Sequence, residues 1–219
     1  MTYQDLLALL KDNADEGFRA FSSKILASRE TLIGVRTPKL RKIVSALAKS
    51  DLDLDLLPVG EILEVDFVHE EVFLLREKGE KERYLFLESF LPKIDGWSLV
   101  DNASSRFKIL DLDLAYAASK KMTFSKSQWV RRFGYVHLIT SAKALSAGQI
   151  SALIKEDDEY YVNMAEGWLL AEGLIYHFDS LMAFLRKMPI GPIRKLAVKK
   201  ALESYRFSLT QKEELKSLR

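Results

Sequence analysis

The chain has 219 residues, 48% of them hydrophobic and 29% charged, a composition that supports a large globular core and excludes a fibrous or disordered chain. It contains no cysteine, which excludes disulfides, thiolate zinc sites and a cysteine nucleophile, and no apolar run near the ~18 residues of a membrane helix. Its 33 basic and 31 acidic residues give a net charge of +2, too small to indicate nucleic acid by itself.

Apolar residues recur at helical spacing almost throughout, and strand-type alternation is nearly absent, so an all-α chain is expected. Leu6, Leu7, Leu9 and Leu10 mark a first helix, which breaks at Asn13 to Gly17. A short helix from Phe18 to Ala27 follows, then a loop from Ser28 to Gly34. Thr37-Pro38 places a cap before a first-turn proline, and Ile43, Val44 and Leu47 line the helix that this begins. The stretch from Asp51 to Pro58 alternates like a strand but reads as a loop, because aspartate is poor in strands and proline ends the segment. After Gly79, Leu85, Phe86, Leu87, Phe90 and Leu91 mark another helix, and Pro92 to Gly96 break it. A helix beginning near Asp95 comes next. Further breaks fall at Ser119 to Ser127, Ala147, Asp157, Asp179 and Pro189 to Pro192, with Ser127 heading a helix from Gln128 to Ile139. Paired, these helices approach the ~40 to 47 residues of HEAT and armadillo repeats. The expected architecture is a HEAT-like or armadillo-type helical-repeat solenoid, a single curved domain over residues 1–219 with a concave basic face. No linker, leader or membrane span is evident, so a soluble, cytoplasmic protein is expected, most simply a monomer.

Charge is distributed unevenly. Asp51 to Asp95 carries thirteen acidic and five basic residues. Arg36 to Lys49 (Arg36, Lys39, Arg41, Lys42, Lys49) and Lys120 to Arg132 (Lys120, Lys121, Lys126, Arg131, Arg132) have five basic residues each and no acidic one. Arg186 to Arg206, which includes Lys195, has seven basic residues against Glu203 alone. Such clusters either neutralise a phosphate backbone or form solvated helix faces.

Among the tryptophans, Trp97, Trp129 and Trp168, packing in the core is the ordinary role. Trp97 is the most informative, because in Asp95-Gly-Trp-Ser-Leu-Val-Asp101 the indole and the Asp101 carboxylate stand four residues apart on one helix face. That pair suits hydrolysis at a cationic sugar-linked base. The leaving base needs no general acid, a carboxylate stabilises an oxocarbenium-like sugar, and indole faces attract the cation. The plainer alternative is that Asp101 pairs with Arg106 or Lys108. His69, His137 and His177 form no metal-ligand pattern, no glycine-rich phosphate loop is present, and Ser104-Ser105 lacks a triad, so a metal site, nucleotide hydrolysis and a serine nucleophile are disfavoured.

Four segments in order carry a resemblance. The W-x-x-V-D of Trp97 to Asp101, the W-x-x-R of Trp129 to Arg132, Gly167-Trp168, and Ile33-Gly-Val-Arg-Thr-Pro-Lys-Leu-Arg41, similar to a G-[IV]-x-T-P-x-x-R segment, resemble the AlkD-type HEAT-like-repeat DNA alkylation repair glycosylases. The resemblance implies duplex DNA as partner and excision of cationic N3- or N7-alkylpurines without turning the base into a pocket. It implies Asp101 as the catalytic carboxylate, Trp97 and Trp168 as indole walls beside the damaged nucleotide, Arg132 as a phosphate contact, and no metal or organic cofactor. Arg131, Arg36, Lys39, Arg41 and Lys195 are the further DNA-binding candidates.

The chain departs from that pattern at Met164 and Ala171, where active members carry basic residues, and Glu166 and Glu172 add acid to the same helix. The short helix before Gly34 also carries few basic residues, Arg19 and Lys24 with Arg29 nearby. Tyr160 to Met164 and Lys200 to Arg206 resemble a divergent branch without efficient excision. A non-catalytic DNA-binding paralogue is therefore the alternative reading.

Overall fold

A computed structural model describes residues 1–26 and 28–218, and the regular structure among them is α-helical, with two short 3₁₀ turns and no strand. The all-α expectation therefore holds. The chain divides into two compact units, Met1–Leu110 and Asp111–Arg219.

The first unit contains α1 (Tyr3–Lys11), α2 (Glu16–Ser22), α3 (Thr37–Leu47), α4 (Leu63–Arg76), α5 (Glu80–Phe90) and α6 (Trp97–Arg106). A capping box between Thr2 and Asp5 starts α1, and the Asp15 carboxylate accepts the Phe18 N–H to start α2. The latter helix begins earlier and ends sooner than its sequence suggests, and Ala27, its expected end, lies outside the described residues. Thr37 is not a cap: it is the first helical residue of α3, with Arg36 before it and Pro38 in the first turn. The segment from Asp51 to Pro58 is a loop, as expected. Arg76 fixes its approach by donating to the carbonyls of Leu47, Ala48, Ser50 and Leu52.

Helix α4 packs on α3 and on α6, and it buries acids as well as valines. Glu64 is 1% exposed, and its carboxylate accepts the N–H groups of Ile33, Gly34 and Val35 at 2.6 to 3.1 Å. Asp66 accepts the Gly60 N–H, and Glu70 accepts the Asn102 side-chain amide at 2.9 Å. Glu71 lies 3.5 Å from both the Arg41 and the Arg106 guanidinium. Acidic side chains buried in this way are tolerated because each meets a donor or a cation. Much of the acidic block from Asp51 to Asp95 is thus internal scaffolding.

The second unit contains α7 (Leu112–Met122), α8 (Gln128–Val136), α9 (Ala147–Leu153), α10 (Tyr160–Tyr176), α11 (Phe178–Lys187), α12 (Pro192–Glu203) and α13 (Leu209–Lys216). Here α10 packs on α8 on one side and α12 on the other, while α7 covers α8 and both α9 and α11 cover α10. The second helices of successive pairs therefore stack on one another, as in a helical-repeat solenoid. Helix α8 stops at Val136, before the expected Ile139, and a 3₁₀ turn follows at Ile139–Ser141. Ala147 and Asp179, read as breaks, instead open helices. Among the described residues no helix is long and apolar enough to cross a membrane.

Candidate active site and nucleic-acid interface

The first unit carries Trp97 and Asp101. Helix α6 can begin abruptly because Gly96, its N-cap, takes φ +152°, a conformation that side chains disfavour. Trp97 is the first helical residue and Asp101 follows one turn later, so the shared face expected from the sequence is present. Both side chains are half-buried. Asp101 lines an open cleft of about 320 Å³ bordered by α2, α3, α4, α6 and the chain before α3. Arg106, with Lys108 the alternative partner considered for Asp101, lies 3.5 Å from Glu71.

The three basic candidates near α3 differ. Arg36 donates to Asp15 at 2.7 Å and lies over the Phe18 ring, yet its side chain stays 62% exposed. Arg41 lines the same cleft as Asp101, held by Glu71 and by a 3.2 Å hydrogen bond to the Asn102 side-chain oxygen. Lys39 is exposed on the helix surface.

In the second unit, Trp168 on α10 is half-buried between two cations. The Arg132 guanidinium lies 5.1 Å from its ring centroid and the Lys200 ammonium 5.6 Å. Gly167 makes room for this arrangement, since a β-carbon there would sit 2.8 Å from the Leu196 β-carbon on α12. Lys200 as a partner of Trp168 is not legible in the sequence, because no spacing signal links residues on separate helices.

Two expected phosphate contacts are turned inward. Arg132 is 1% exposed and donates to the Tyr161 carbonyl at 2.7 Å, so its guanidinium does not face solvent as a phosphate contact requires. Arg131 makes a two-point bridge to Asp157 at 2.6 and 2.9 Å and also donates to the carbonyls of Ser125 and Lys126. Lys195 on α12 remains exposed.

The acids of α10 also behave differently from a surface reading. Glu166 is fully buried, accepts the Lys155 N–H, and is pushed up to about 7, chiefly by burial. Glu172 is bridged at two points by Arg206. Ala171 is buried and Met164 half-buried. Trp129 is a core residue beside Tyr161. His137 stacks on Phe133 and is 1% exposed, and burial pushes it down to about 3. Among the described residues no cluster of histidines and carboxylates has the arrangement of a metal site.

An all-α protein of stacked helix pairs, with an indole and a carboxylate one turn apart and a second indole flanked by cations, is the class defined by these features. The sequence profile of the DNA alkylation repair enzyme family matches residues 6–205, and the chain belongs to that family. Searches of curated proteins and of solved structures found no match.

Proposed function

We propose that the protein binds alkylated duplex DNA and hydrolyses the N-glycosidic bond of cationic N3- or N7-alkylpurines, with Asp101 as the catalytic carboxylate. The observation that carries this reading is the placement of Asp101 one turn after Trp97, on the wall of a cleft, in a member of the DNA alkylation repair enzyme family. A cationic purine leaves as a neutral base, so the bond breaks without a proton donor. The sugar is left with oxocarbenium character, which the carboxylate stabilises while orienting the water that attacks it. Trp97 supplies an apolar face beside the sugar, and the exposed Arg36, Lys39 and Lys195 attract the phosphate backbone.

A second reading is a paralogue that binds DNA without excising a base. It is favoured by the inward-turned Arg131 and Arg132, which remove two basic groups from any DNA-facing surface. One experiment separates the two readings. Duplex DNA carrying 3-methyladenine or 7-methylguanine is incubated with native protein and with Asp101→Asn, and released base is measured. Catalysis by Asp101 gives release that falls on the order of 10²-fold in the variant, the scale of losing one charge-stabilising group. Binding of the duplex without release by the native protein establishes the second reading.

A further inference from the structure

Glu71 on α4 is 1% exposed, and neither of its carboxylate oxygens accepts a hydrogen bond among the described residues. Two cations face it instead. The Nε atoms of Arg41 on α3 and of Arg106, the last residue of α6, each lie 3.5 Å from the same oxygen, Oε1. That distance exceeds the ~2.8 Å of a charge-assisted hydrogen bond, so Glu71 gathers the two guanidinium groups without saturating either. They are close neighbours, since their Nε atoms cannot be farther apart than twice that distance. Asn102 steadies Arg41 further, accepting from Nη2 at 3.2 Å while its own amide donates to Glu70 at 2.9 Å. Burial pushes the Glu70 carboxyl well above the usual carboxylate range, which favours its neutral form. Two arginines against the Glu71 carboxylate therefore leave an excess of positive charge.

We infer that Arg41 and Arg106 together clamp a single backbone phosphate of duplex DNA beside the cleft of Asp101, and that Glu71 is the positioning residue that holds the two guanidinium groups for it. The inference rests on the reading of the protein as a binder of duplex DNA. Both side chains reach solvent, with 44% of Arg41 and 38% of Arg106 exposed, and Arg41 lines the cleft itself. A guanidinium offers five N–H donors in a fixed fork, so with Nε turned to Glu71 the terminal nitrogens remain for an oxyanion. Among the described residues the terminal nitrogens of Arg106 have no hydrogen-bond partner. Two like charges at this separation repel, and the buried carboxylate between them removes that obstacle before DNA arrives. Arginines held in advance lose less freedom on binding than two free side chains do.

Fluorescence anisotropy of a labelled, unmodified duplex, titrated with the full chain at several salt concentrations, tests the clamp without requiring excision. One shared phosphate predicts that Arg41→Gln/Arg106→Gln lowers the slope of log affinity against log salt by about 0.9, whereas arginines on separate phosphates lower it by about 1.8. Glu71→Gln adds a test of sign. Loss of a negative charge strengthens binding to DNA on charge grounds alone. Loss of a positioning residue weakens it, by about twofold to tenfold, because the arginines must then be ordered on binding. Thermal melting identifies the variants that keep the fold. If Glu71→Gln does not fold, the arginine cycle decides: Arg41→Gln is expected to weaken binding less in the Arg106→Gln protein than in the native one. An unchanged slope in the folded double variant, a fall of about 1.8, additive arginine losses, or undiminished binding by a folded Glu71→Gln overturns the inference and leaves the functional reading standing. No duplex binding by the native protein overturns the functional reading, and the inference with it.

Discussion

Glu30 and Asp95 hold each other across the turn that opens α6. The Asp95 N–H donates to the Glu30 carboxyl at 2.5 Å, and the Asp95 carboxylate accepts the Arg29 N–H at 3.0 Å. This double link fixes the chain two residues before Trp97 and thereby sets where α6, with Asp101, begins. Glu30→Ala leaves a part-buried donor unsatisfied, at a cost of about 1–3 kcal/mol. The expected outcome is faster hydrogen exchange at the amides of residues 95 to 97, measured by mass spectrometry. Glu30→Gln keeps an acceptor and stays near the native exchange rate. Equal protection in native protein and Glu30→Ala refutes the positioning role.

Asp66 makes stability depend on pH in the sense opposite to an ordinary salt-bridged acid. Burial and the adjacent Glu30 charge push it up to about 8, and burial also raises Glu30. Between the unfolded value near 4 and the folded value near 8, the folded state keeps a proton on Asp66 that the unfolded state has lost. Stability therefore falls as pH rises through that window, by at most about 1.4 kcal/mol per pH unit for one proton, and levels off above it. Urea denaturation at intervals from pH 5 to pH 9 measures the slope. Asp66→Asn imitates the protonated side chain, and it is expected to flatten the curve and to be the more stable protein at pH 8.5. A parallel decline in both proteins counts against the assignment.

Two basic residues that look alike in the sequence have opposite expected effects. Arg131 and Asp157 are 15% and 8% exposed at their side chains, and the arginine also closes the turn before α8 through the Ser125 and Lys126 carbonyls. Arg131→Ala leaves the part-buried Asp157 carboxylate and two carbonyls without their donor, at a cost of about 1–3 kcal/mol, and is expected to lower the urea midpoint. Lys39 is exposed, and Lys39→Ala is expected to change stability by less than about 0.5 kcal/mol. If Lys39 neutralises a phosphate, the same variant reduces the slope of log affinity for DNA against log salt by about 0.9. Stability measurements and a salt titration on both variants check the contrast.

That contrast also marks how far the sequence could be read. Helical spacing reveals the all-α class, and a short motif places Trp97 and Asp101 on one turn, because both depend on residues close in the chain. The Asp51 to Pro58 loop is legible for the same reason. Partners distant in sequence are not. The composition of Lys120 to Arg132 gives no sign that Arg131 closes on Asp157, twenty-six residues later. Likewise Glu64, Asp66, Glu70 and Glu71 count in the sequence only as part of an acidic block, yet each is buried against donors or cations, most of them brought by other segments. The cleft beside Asp101 is invisible in the sequence because it depends on how three helices pack against α6.

Gly167 offers the last test, because it reads as half of a Gly-Trp motif but acts as a spacer. A β-carbon at this position would stand 2.8 Å from the Leu196 β-carbon and 3.0 Å from the Ala197 backbone nitrogen, closer than packed atoms allow. Gly167→Ala gains helix propensity but must push α10 and α12 apart, and overpacking of this kind typically costs about 1–3 kcal/mol. For a chain of this size each kcal/mol lowers the melting temperature by about 2–4 °C. Trp168, the next residue, lies beside Lys200 of the displaced helix, so its fluorescence is expected to change with the same substitution. Moving the space to the other helix provides the decisive control. Leu196→Gly alone loses propensity and packing, but in the double variant it removes the β-carbon that the methyl group introduced by Gly167→Ala would meet. The double-mutant cycle should therefore give a favourable coupling between the two sites. Additive losses would mean that the helices separate without resistance and that Gly167 is not what holds α10 against α12.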